Sequence, residues 1–200
     1  MIRPNMAQDA PPTEITVGGV SYRCETDYRA WIDIIDMLNN LLPDARNTEE
    51  AMHNAETIIA IEEAVFGKII EAPAADVLRG ITEFMKGYPH VRAEADDAEA
   101  GNGRQVYSFK HDINSIIIAI RNQSGRDIGY GCKEFHWWLF LEEFRNLCGD
   151  HYILRLMEIR GYDGNDAKMK AQSLRFAVPR EQTAEDDRIV SDFNDIFYGA

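Results

Sequence analysis

Long apolar runs are missing from this 200-residue chain. None reaches the roughly 20 residues that carry a helix across a bilayer. The opening MIRPNMAQDAPPTE lacks the continuous apolar core of a signal peptide. Both absences predict a protein that stays in the cytoplasm where it is made. Cysteine is scarce, and Cys24, Cys132 and Cys148 show an odd count and no CxxC spacing, which suits free thiols in a reducing compartment.

Catalytic signatures are missing as well. The histidines His53, His90, His111, His136 and His151 show neither HExxH nor a Cys/His metal spacing. His111-Asp112 with His136 comes nearest to a ligand set, and a hydrogen-bonded structural role is the better reading for each. Gly101-Asn102-Gly103 and Gly129-Tyr130-Gly131 do not join a strand to a helix through a third glycine, and no Lys-Ser/Thr follows them. Phosphate binding is therefore not expected. There is no GxSxG, and the pairs Glu62-Glu63 and Glu142-Glu143 are adjacent on helices, where their carboxylates diverge. We expect no enzyme, no cofactor and no metal.

What is present in excess is negative charge, 34 Asp/Glu against 21 Lys/Arg, a formal net charge of −13. It is uneven: residues 1–103 carry 8 basic and 19 acidic side chains, 104–180 carry 12 and 9, and 181–200 carry 1 and 6. Acidic ends flank a mildly basic middle, a distribution that repels nucleic acid. It suits solubility, or a basic protein partner. Apolar residues make up 45% of the chain and aromatics 10%, which excludes a wholly disordered protein.

The periodicity predicts a mainly α, bundle-like fold with a short N-terminal β-hairpin. Residues 1–12 read as a flexible leader, 13–180 as one helical domain or two loosely separated helical halves, and 181–200 as an acidic amphipathic helix or tail. Gly18-Gly19 between Glu14–Val17 and Val20–Cys24 signals the hairpin. Thr26 caps a helix to about Leu42 with a stripe of Tyr28, Trp31, Ile35, Leu38 and Leu42, and Pro43 ends it. Asn47 or Thr48 caps a second helix with apolar Met52, Ala55, Ile58, Ile59, Val65 and Phe66, stopped by Gly67. A third includes Asp76 and ends near Gly87. From about 88 to 104 an acidic, Ala-rich stretch reads as an internal linker. Ile113, Ile116, Ile117 and Ile120 then form a helical stripe with Ile118 outside it, although β-branching leaves a strand open.

The stretch Gly129–Tyr162 is the organising element. Trp137, Phe140, Leu141, Phe144 and Leu147 recur at helical spacing, with Lys133, Glu134, Glu142, Glu143, Arg145 and Asn146 mostly opposite. Gly149 reads as a stop and Asp150 as the cap of a second helix carrying Ile153, Leu156 and Met157, and the two helices are expected to pack as a hairpin. Trp137 and Trp138 point about 100° apart. Trp138 is therefore either buried under a neighbouring element or partly exposed as an interface anchor. Asp163–Asp166 makes a turn and cap before a basic helix, Ala167 to Phe176. In the tail, Ile189, Val190, Phe193, Ile196 and Phe197 recur at helical spacing, for docking on the chain's own core, on a partner or on a second copy.

The run Phe135-His136-Trp137-Trp138-Leu139-Phe140, with the later helix closing in Ile159-Arg160-Gly161-Tyr162, resembles the HWW and IxxIR helices of the phage Gp15 family. Asp27-Tyr28-Arg29-Ala30-Trp31 is similar to its DFRxW opening, Phe109-Lys110-His111-Asp112 to its F-x-x-D segment, and Lys168-Met169-Lys170 to its basic end. The similarity runs from Ile15 to Pro179. Where relatives show a Y-G-I-D-L loop before the HWW helix, this chain has Arg126-Asp127-Ile128-Gly129-Tyr130-Gly131. Residues 93–101 and the segment after Pro179 also depart from the pattern.

The resemblance implies a protein of the phage tail-gene region, working in the bacterial host cytoplasm as a tail assembly chaperone. Its partners would be the tape-measure protein and the tail-tube protein, with a homo-oligomer as a further possibility. Neither nucleic acid nor a membrane is an expected partner. Candidate partner-binding residues are Phe135, His136, Trp138, Ile189, Phe193 and Phe197. The rival classes are a structural virion or tail-completion protein and a small acidic inhibitor that mimics nucleic acid.

Overall fold

A computed structural model describes residues 9–42, 44–88 and 105–179. Among them the chain is mainly α-helical, with seven helices and one antiparallel hairpin, as its periodicity predicts. Contacts divide the described residues into two compact units, Pro12–Phe84 and Met85–Pro179, with residues 9–11 in the latter. Pro43, most of the expected leader, the expected linker from 89 to 104, and the 181–200 segment with Ile189, Phe193 and Phe197 lie outside the described residues.

In the first unit β1 (Glu14–Val17) pairs with β2 (Val20–Arg23), Val17 opposite Val20. Gly18 and Gly19 have φ of 58° and 85°, which a two-residue primed turn requires. Ile15 and Val17 are buried, with Glu14 and Thr16 exposed. The buried pair lies on Gly80 of α3 (Ala74–Met85), where an added Cβ would stand 3.0 Å from Ile15 Cγ2 and 3.3 Å from the Thr16 carbonyl. The helix interior tolerates a glycine there because the strand needs the space.

Helix α1 (Tyr28–Asn39) starts one residue later and stops earlier than its sequence suggests. Asp27, not Thr26, is its cap: Asp27 Oδ1 accepts from Arg29 N at 2.9 Å, and Glu25 Oε1 accepts from both Thr26 N and Asp27 N. The Asn40 amide folds back on Met37 and Leu38 carbonyls, so Leu42 lies beyond the helix. Leu42 is nevertheless buried, its backbone held at both N and O by the Asn54 side chain at 2.9 and 2.8 Å. The buried arc of α1 takes in Ile32 and Ile34 as well as Tyr28 and Trp31, while the expected Ile35 and Leu38 are only half-buried. Trp31 stacks on Phe84 at 4.9 Å, and its Nε1–H donates to the Glu25 carbonyl at 2.9 Å.

Helix α2 (Thr48–Phe66) has the expected ends, Asn47 accepting from Glu50 N and Gly67 at φ 68°. Ile61, Glu62 and Val65 are buried and Ile58 is half-buried, whereas Met52 and Ile59 are 58% and 42% exposed. The apolar residues of α2 therefore form two faces, and only one meets the core. Buried Glu62 is satisfied by the Ile70 amide at 2.9 Å.

The second unit contains α4 (Phe109–Ser124), α5 (Trp137–Arg145), α6 (Tyr152–Gly161) and α7 (Ala167–Arg175). The isoleucine segment is helical: Ile116 and Ile120 are buried and Ile118 is 48% exposed. The expected α5–α6 hairpin is not the main packing. Helix α4 carries both α5 and α6, and α6 packs in turn on α7. The reason lies in Gln123 near the end of α4, whose Nε2 donates to the Asn146 carbonyl and whose Oε1 accepts from Cys148 N. The link between the two helices is thus bonded to α4. The expected Asp150 cap is likewise absent: His151 holds the cap position, and Asp150 pairs instead with Arg155 at 3.3 Å.

Two outcomes follow from this packing. Gly80→Val should lower stability by about 1–3 kcal/mol, read as a lower midpoint in urea denaturation, because β1 cannot retreat without losing Ile15 and Val17. Burial, aided by Glu25 and Glu14, pushes the Cys24 thiol from 9.0 up to about 12. At pH 8 an alkylating reagent should therefore label exposed Cys148 promptly and Cys24 only on denaturation, as peptide mapping would report.

Candidate functional site

The aromatic residues of the second unit assemble around the start of α5. Phe109 meets Trp137, Phe140 and Phe144 edge-on at centroid distances of 5.5, 5.6 and 5.3 Å. Trp137 stacks along its own helix on Phe140, and half-buried Tyr107 closes the cluster against Phe144 at 5.0 Å. Burial raises the Tyr107 phenol above its ordinary value, with Arg145 opposing in part. Trp137 Nε1–H donates to the Met85 carbonyl at 3.0 Å, so its one polar atom is satisfied.

Trp138 takes the buried alternative. It is 6% exposed and meets Tyr88 edge-on at 4.9 Å. Its helical position lies near that of Glu142, four residues on, so covering one covers the other. That accounts for a buried Glu142 where an exposed one was expected; Arg145 Nη1 pairs with it at 3.3 Å. Arg145 Nη2 also donates to the Lys86 carbonyl at 2.7 Å. Gly87, at φ 74°, brings the backbone so close that a Cβ would meet Leu141 Cδ1 at 2.8 Å. His136 is half-buried and caps α5, its Nδ1 accepting from Trp138 N at 3.0 Å, which places the neutral ring's proton on Nε2. Phe135 beside it is also half-buried. Of the candidate partner-binding residues, Phe135, His136 and Trp138 thus stand together at the α5 entrance, with Trp138 beneath the surface.

The pair that the sequence does not announce is Asp112 with Arg160. Both side chains are 7% exposed and meet as a two-pronged fork, Arg160 Nη1 to Asp112 Oδ2 at 2.6 Å and Nη2 to Oδ1 at 3.1 Å. Nη1 also donates to the Val106 carbonyl and Nε to the Phe176 carbonyl at 2.6 Å. Asp112 Oδ2 accepts in turn from Ser108 N, and Ser173 Oγ donates to the Arg160 carbonyl. The fork joins α4 to α6 and fastens the segments before α4 and after α7. Held by Arg160 and the Ser108 amide, this buried carboxylate acts as a clasp between α4 and α6. One signal was legible: Arg160 continues the Ile153, Leu156 stripe, and a cation on a buried stripe requires a buried acceptor.

Among the described residues no three His, Cys, Asp or Glu side chains come together in a way that could hold a metal ion. Nor is any described helix long and apolar enough to cross a membrane. Removing one partner of the clasp strands a buried charge. Arg160→Met should cost about 3–5 kcal/mol in urea denaturation, and adding Asp112→Leu to it should restore part of that loss.

A family model described as Bacteriophage Gp15 protein matches residues 8–177. No curated protein and no solved structure matches the chain.

Proposed function

We propose that this chain, which belongs to the bacteriophage Gp15 family, is a tail assembly chaperone that holds the tape-measure protein soluble while tail-tube protein polymerises around it. Its work is binding, without catalysis, in the cytoplasm of the bacterial host. The family match over residues 8–177 carries this reading. Physical features support it. A long amphipathic helical client needs helical surfaces that offer apolar side chains to water, and Met52, Ile59, Ile118, Tyr152 and Leu174 do so here. A net charge of −13 keeps a complex with an apolar client dispersed. At the α5 entrance half-buried Phe135 and His136 supply the contact, beside buried Trp138.

Co-expression with the tape-measure protein of the same phage tests this directly. The expected result is co-purification and a larger soluble fraction of the client, with the chain absent from finished particles by mass spectrometry. A client that neither co-purifies nor gains solubility would refute the chaperone role. Stable incorporation into the particle would identify a virion component instead.

A further inference from the structure

Helix α2 carries a second apolar face that is exposed. Met52, Ala55 and Ile59 are spaced by three and four residues, the a, d, a positions of a heptad, and all three are exposed. Thr48 precedes them at d. Glu62, the next d position, is buried and bonded to the Ile70 amide, so the seam ends there after about 17 Å of helix. Along one flank, at every e position, stand Glu49, Glu56 and Glu63, all exposed. Among the described residues none of these three carboxylates joins an ion pair. On the opposite flank Val65 is buried in the chain's own core, Ile58 is half-buried and Ala51 is exposed.

We infer that this face of α2 is a docking seam for one helix of another protein, with apolar residues at its own a and d positions and Lys or Arg on the flank facing the glutamates. The charge row selects this occupant. Interhelical e and g positions set partner choice in paired helices, and three aligned carboxylates call for three cations. A second copy fits poorly, since antiparallel self-pairing would bring the glutamate rows together. Parallel self-pairing would set them over Ala51, Ile58 and Val65. The chain's own residues 181–200, with six acidic side chains and one basic, carry the wrong sign. The surrounding unit adds to the field: residues 12–84 hold 14 Asp/Glu and 5 Lys/Arg. The inference rests on α2 alone and does not depend on the tail-assembly role.

Two synthetic heptad peptides, with Leu at a and d and either Lys or Glu at e and g, provide the test by fluorescence anisotropy against the full chain. The Lys peptide is expected to bind at least about tenfold more tightly than the Glu peptide, with the difference shrinking as salt rises. Ile59→Glu should abolish that binding while the thermal unfolding curve, followed by circular dichroism, stays in place, since the residue is exposed. Triple reversal, E49K with E56K and E63K, should invert the preference. Equal binding of both peptides, insensitivity to Ile59→Glu, or no binding up to about 1 mM would overturn the inference. So would a dimer in sedimentation that Ile59→Glu converts to monomer, since the occupant would then be a second copy.

Discussion

The buried fork between Arg160 and Asp112 is the constraint on which the second unit depends. Burying two opposite charges costs several kcal/mol apiece unless every donor and acceptor is used. Here the use is thorough: the guanidinium serves a carboxylate and two backbone carbonyls, and the carboxylate also takes a backbone amide. Because an ion pair is directional where apolar contact is not, it fixes which turn of α4 faces which turn of α6. The aromatic cluster of Tyr107, Phe109, Trp137, Phe140 and Phe144 then fills the space that this alignment leaves beside α5.

The first unit is held by different means. Its hairpin is too small to be stable alone and depends on the close approach that Gly80 allows. The entry to α1 is stitched by Glu25, whose backbone N bonds the Val65 carbonyl at the end of α2 and whose carbonyl receives the Trp31 indole. Once α2 has spent one face on this core, its second apolar face is left with a row of glutamates beside it. A helix that is apolar on two sides shows a weak overall amphipathic pattern. For that reason nothing in the sequence separates Met52, Ala55 and Ile59 from Ile58 and Val65.

Local chemistry determined much of this protein before any packing. Gly18-Gly19 dictated the turn, Asn47 with Glu50 the start of α2, Gly67 its end, and the isoleucine spacing the buried side of α4, because each depends on backbone preference or on residues within one or two turns. The order of short motifs, HWW among them, likewise made the Gp15 family legible. Tertiary structure decided what depends on distant neighbours. Whether Trp138 and Glu142 are buried was set by Tyr88 and Arg145, and whether α5 and α6 pair was set by Gln123. Asp112 found Arg160 48 residues away. Such pairings join groups far apart along the chain, and the spacing of residues in one segment carries no record of what another segment brings against it.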